Sequence, residues 1–117
     1  MIIFLYGPDS YRSKEKLEEI INHYKKSRKD WLNLIYADAG QIEFSDFYNH
    51  FKVFSIFSEK KLVIVKNLFL NKKFQEDFLE EIKTLENLKD VIVVYEPDAV
   101  DQRIKLFKEL IKNCKSQ

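Results

Sequence analysis

Four short runs of large apolar residues constrain this chain more than any other feature: Ile2–Tyr6, Leu32–Tyr36, Leu62–Val65 and Val91–Tyr95. Each is nearly continuous in Ile, Val, Leu, Phe or Tyr rather than alternating with polar residues. Strands of a parallel sheet covered on both faces read this way. Helical stripes follow each run. Leu17, Ile20, Ile21 and Tyr24 keep the i, i+3, i+4, i+7 spacing, as do Phe44, Phe47, Tyr48 and Phe51. Phe74, Phe78, Ile82 and Leu85 form a third stripe, and Ile104, Phe107, Ile111 and Cys114 a fourth.

Alternation of strand and helix predicts a three-layer α/β domain, a parallel sheet with helices on both faces. Gly7-Pro8 ends the first strand and Ala39-Gly40 follows the second. Asp9 or Ser10 can cap the first helix, and Asp98 or Asp101 the last. After the fourth stripe, Lys112 to Gln117 offers no further strand, so residues 1–117 read as a single domain taken from a longer protein.

Charge and cysteine usage narrow the function. The 20 basic and 19 acidic residues leave a net charge of +1, whereas a dedicated nucleic-acid surface carries a clear basic excess. No run approaches the about 18 apolar residues of a membrane span, and the start lacks the basic flank and cleavage site of a signal peptide. A cytoplasmic chain is the expectation. One cysteine, Cys114, excludes an internal disulfide, and with His23 and His50 the only histidines no metal-ligand spacing emerges.

Ligands of open α/β sheets bind at the carboxyl ends of the strands, so the first strand–helix turn is the place to test for phosphate chemistry. Against the pattern G-x-x-x-x-G-K-[ST], Gly7 matches the first glycine. Arg12 then stands at the second glycine, Ser13 at the lysine and Lys14 at the hydroxyl. Backbone N–H groups wrap a phosphate only where side chains are small. Tyr11 and Arg12 fill that space, and Asp9 brings negative charge. What survives is a degenerate phosphate loop, with at most a contact from Lys14. The third strand ends in Lys66-Asn67, where an NTPase needs a carboxylate for magnesium. Glu96, after the fourth strand, reads as a general base or, better, as part of a helix-entry turn. Asp9 and Asp38 lack the acceptor aspartate that a receiver site needs after the third strand. No catalytic residue, metal or cofactor is expected.

The connection from Lys52 to Lys61 is different. Phe54, Ile56 and Phe57 stand there among serines and lysines, although the preceding helix already supplies four aromatics to the core. Two readings remain open on composition: all three cap the sheet edge, or one or two are exposed anchors for a partner's pocket.

In its order of motifs the sequence resembles the delta subunit of the bacterial DNA polymerase III clamp loader. The motifs are Phe4-Leu5-Tyr6-Gly7-Pro8-Asp9, the segment from Ser55-Ile56-Phe57 through Lys61-Leu62-Val63-Ile64-Val65-Lys66-Asn67, and Asp101-Gln102-Arg103. The resemblance implies a P-loop NTPase-type, AAA+-like amino-terminal domain with strand order 1-4-3-2 and the fifth strand missing from this chain. It also implies that Ile56 and Phe57, flanked by Phe54 and Ser55, insert into the beta sliding clamp and help open the ring without ATP hydrolysis. Delta prime and the gamma/tau ATPases would be partners through the full-length protein, with DNA contacted indirectly or weakly. Leucine is usual where Ile56 stands, and Lys52 occupies a position where some relatives carry glutamine. A small nucleotide-binding domain and a receiver-like module are the alternatives. A receiver would place strand 1 between strands 2 and 3; the AAA+-type order places strand 4 between 1 and 3.

Overall fold

The computed structural model describes residues 1–6, 10–27, 34–52, 61–96, 101–113 and 115–116. Strands β1 (Ile2–Leu5), β2 (Leu34–Asp38), β3 (Leu62–Lys66) and β4 (Val91–Tyr95) alternate with helices α1 (Ser10–Ser27), α2 (Phe44–Lys52), α3 (Lys72–Glu80), α4 (Ile82–Glu86) and α5 (Lys105–Asn113). A 3-10 turn, Leu68–Leu70, links β3 to α3, and a last strand, β5, comprises Lys115–Ser116. The sheet runs β2-β3-β4-β1-β5 with every neighbouring pair parallel. Strand β4 thus separates β1 from β3, as in the AAA+-type order and unlike a receiver.

Burial follows the pleat. On one face Leu5, Leu62, Ile64 and Val93, with Ile3, Val91 and Tyr95, meet Leu17, Ile20, Ile21 and Tyr24 of α1. On the other, Ile2, Phe4, Val63, Val65, Ile92 and Val94 meet Phe47 of α2, Phe74 and Phe78 of α3, Ile82 and Leu85 of α4, and Leu106, Phe107 and Leu110 of α5. The second face is therefore the larger core. Phe47 is its hub, with ring centroids of Phe44, Phe51, Phe74 and Phe78 at 5.6, 5.2, 5.4 and 6.1 Å. Each fully buried ring or branched chain contributes about 1.5–3 kcal/mol over its exposed state.

Four expectations need correction. The second strand runs Leu34–Asp38 rather than Leu32–Tyr36, and it lies at the sheet's edge, with Tyr36 67% exposed. Pairing with Leu62–Lys66 extends it through Ala37 and Asp38, because a ladder needs backbone groups rather than apolar side chains. The third stripe is two helices, α3 and α4, since the backbone leaves helical geometry at Glu81 (φ −100°, ψ 7°) while the same apolar face continues. In the last helix the buried side chains are Leu106, Phe107 and Leu110, and Ile111 is exposed. Ile104, just before that helix, and Phe107 do pack on the core, and the stripe departs from the buried face at Ile111; Cys114 lies outside the described residues. Finally, the fifth strand is present as β5, where none was expected. Its two residues pair in register with Ile3 and Phe4, and backbone pairing of that length leaves no apolar signature.

Candidate functional site

At the carboxyl ends of the strands, α1 carries three of the four residues of the degenerate phosphate loop; Gly7 lies outside the described residues. Successive helical positions differ by 100°, so Ser13 turns inward and is buried while Arg12 and Lys14 are exposed. The position that would need a phosphate-reaching lysine is a serine packed into the domain. At the end of β3, Lys66 is exposed where a magnesium-holding carboxylate would be required.

The polar side chains beside it serve the chain's own backbone. Asp38, closing β2, accepts from the Gly40 N–H at 2.9 Å and from Asn67 Nδ2 at 3.0 Å with the same Oδ1. These bonds, the one from Asn67 foremost, hold the Asp38 carboxyl below its ordinary range, and Lys66 adds a smaller push in the same direction. Asn67 itself sits in the left-handed region (φ 61°, ψ 27°), which asparagine tolerates better than most residues. Asn71 caps α3: its Oδ1 accepts the Phe74 N–H at 3.0 Å, and its Nδ2 donates to the Ala39 carbonyl at 2.8 Å. Glu96 is buried, and its Oε1 accepts the Leu68 N–H at 2.7 Å. Glu96 therefore fastens the end of β4 to the turn after β3; the helix-entry turn expected beyond it, at Pro97-Asp98, lies outside the described residues. The result is a knot of hydrogen bonds, most of them to backbone groups, that ties the carboxyl ends of β2, β3 and β4 to the turns after them. Among the described residues, no three His, Cys, Asp or Glu side chains gather as a metal site, and no buried polar side chain lacks a partner.

Asp101-Gln102-Arg103 also closes on itself. Asp101 Oδ1 accepts the Arg103 N–H at 2.9 Å, and its two oxygens take the guanidinium at 3.1 Å each, lowering the Asp101 pKa. The motif shapes the turn into α5.

The proposed anchors Ile56 and Phe57, with Phe54 and Ser55, lie outside the described residues; the points where that segment joins the domain do not. On one side, Phe51 packs edge-on against Phe47. On the other, the Lys61 N–H donates to Asp90 Oδ1 at 2.8 Å, and the Lys61 carbonyl accepts from Val91 N–H at 2.9 Å. Asp90 also accepts the Met1 nitrogen at its carbonyl, 2.9 Å away. Sequence reasoning missed Asp90, whose only signal was an aspartate directly before an apolar run. Lys61 directly precedes β3, so that joint lies at the amino end of the strand, opposite the phosphate-loop side.

Comparison with known proteins adds three findings. The family model described as DNA polymerase III, delta subunit matches residues 4–116. No curated protein matches the sequence. Among solved structures, the chain is similar to the Bacillus subtilis DNA clamp loader delta protein, with a TM-score of 0.72 and 23% identity, a likeness that establishes the fold. The match covers 99% of this chain and 37% of that one. Among the described residues, no helix is long and apolar enough to cross a membrane.

Proposed function

The chain belongs to the DNA polymerase III delta-subunit family, and from that premise we propose that it is the amino-terminal, AAA+-like domain of a cytoplasmic clamp-loader subunit that grips the sliding clamp. The reading assigns the grip to Ile56 and Phe57, with Phe54 and Ser55 beside them. The domain assembles with the loader ATPases through the rest of the subunit, touches DNA indirectly or weakly, and hydrolyses no ATP itself.

The observation that carries this reading is the separation of the two ends of the sheet. At the carboxyl ends, Asp38 and Glu96 are engaged by Asn67, Gly40 and Leu68, and Ser13 and Lys66 stand where lysine and carboxylate are needed. The core on the α2 side is already filled by Phe44, Phe47 and Phe51 with α3. The reading assigns the three further large apolar residues of segment 53–60 to a partner's pocket.

Burying Ile56 and Phe57 in a partner pocket would supply roughly 3–6 kcal/mol gross, at about 1.5–3 kcal/mol per side chain, from which ordering costs subtract. Such binding favours an open ring to the extent that the pocket differs between open and closed clamp, since a ligand shifts an equilibrium by its differential affinity alone. The test is the Ile56→Ala/Phe57→Ala double variant. Expected is loss of binding to the clamp of the same organism, measured by pull-down or surface plasmon resonance, with circular dichroism and melting nearly unchanged. A variant that unfolds, or that still binds, overturns the assignment.

A further inference from the structure

We infer that Asp90 is a positioning residue for clamp binding, fixing the point at which the anchor segment leaves the sheet; this rests on the anchor reading above. Lys61 is the first described residue after segment 53–60 and precedes β3. Its backbone is held on both sides: the N–H by the Asp90 carboxylate and the carbonyl by the N–H of Val91. The second bond is an ordinary extension of the β3–β4 ladder. The first is of another kind, since its acceptor is a side chain from the turn before β4 rather than a backbone carbonyl. That turn is itself tied to β1, through the Met1 nitrogen on the carbonyls of Leu88 and Asp90. One aspartate thus joins the starts of three strands at the root of the anchor.

Fixing that root matters because a chain ordered before binding loses less conformational entropy when it docks. A charged acceptor on a partly buried amide is also among the stronger hydrogen bonds. Asp90→Asn keeps an oxygen in place; Asp90→Ala removes it; Asp90→Glu moves it by one methylene and serves as a milder variant should the alanine not fold.

The experiment measures clamp affinity of the intact protein well below its melting temperature, together with amide exchange at Lys61. Expected for Asp90→Ala is about 3- to 10-fold weaker binding, the range that loss of one hydrogen bond gives, with faster Lys61 exchange. Asp90→Asn should restore both to within about twofold of the parent, and Asp90→Glu should fall between them. Leu85→Val, a core change in α4, supplies a destabilised control that leaves affinity unaltered. Parent-like binding by Asp90→Ala, or equal losses in Ala and Asn, overturns the inference while the anchor reading stands. Absence of clamp binding by the parent, or full binding by the Ile56/Phe57 double variant, removes the anchor reading and this inference with it.

Discussion

Replacing Glu96 with alanine tests whether the carboxyl end of the sheet is a structural knot or a vestigial catalytic centre. The Leu68 N–H, 2.7 Å from Glu96 Oε1, belongs to a fully buried residue, and Glu96 itself is only 4% exposed. Truncation leaves that N–H without its acceptor, a loss of about 1–3 kcal/mol, and removes a methylene from the packed interior, worth about 0.8 kcal/mol. The expected destabilisation is about 2–4 kcal/mol. For 117 residues, unfolding entropy is about 0.25 kcal/mol per kelvin, so the melting temperature should fall by roughly 8–15 °C. Glu96→Gln keeps an oxygen within reach and loses the charge assistance, so its cost is about 1 kcal/mol, or roughly 4 °C. Scanning calorimetry at neutral pH reads both. An alanine variant melting within about 2 °C of the parent, or a glutamine variant falling as far as the alanine, would refute the reasoning from which that range comes.

Two further outcomes follow from the same region. Asp38 has its folded pKa below the ordinary 3.8, so it contributes stability above 3.8 that disappears as pH falls through the lower folded value. Melting should therefore decline on acidification below about pH 5, and Asp38→Asn should flatten part of that decline; an equally steep profile in the variant would sink the assignment. Magnesium-ATP at about millimolar concentration should leave the melting temperature of the parent unchanged, because any ligand that prefers the folded state raises it. A clear rise would reinstate nucleotide binding.

The order of elements was legible because central parallel strands are buried on both faces and advertise themselves as apolar runs. Leu62–Val65 and Val91–Tyr95 fall on β3 and β4, and Ile2–Tyr6 overshoots β1 by one residue. The edges were less legible for the complementary reason. Tyr36 belongs to an apolar run yet faces solvent at the edge, so that run misplaced the strand's bounds, and Lys115 and Ser116 join the sheet through backbone bonds that leave no hydrophobic trace. The phosphate-loop comparison rests on residue identity, so Ser13 and Lys66 could be weighed from the sequence itself. The bonds at the carboxyl ends of the strands could not. Asp38 with Asn67, Glu96 with Leu68, and Asp90 with Lys61 join residues 28 or 29 positions apart, and only the folded sheet brings them together. The roles of Asn67 as a left-handed turn residue and of Asn71 as a helix cap emerge only from the crossover they bracket.

The place of β3 in the sheet has a mechanical consequence. A partner pulling on the segment ahead of Lys61 draws β3 along its own axis, and β3 is flanked by β2 and β4 through all five of its residues. Parallel ladders carry evenly spaced, slanted bonds, so such tension shears both at once instead of unzipping them one rung at a time. On the proposed anchor reading, traction from the partner is borne as shear along the strands.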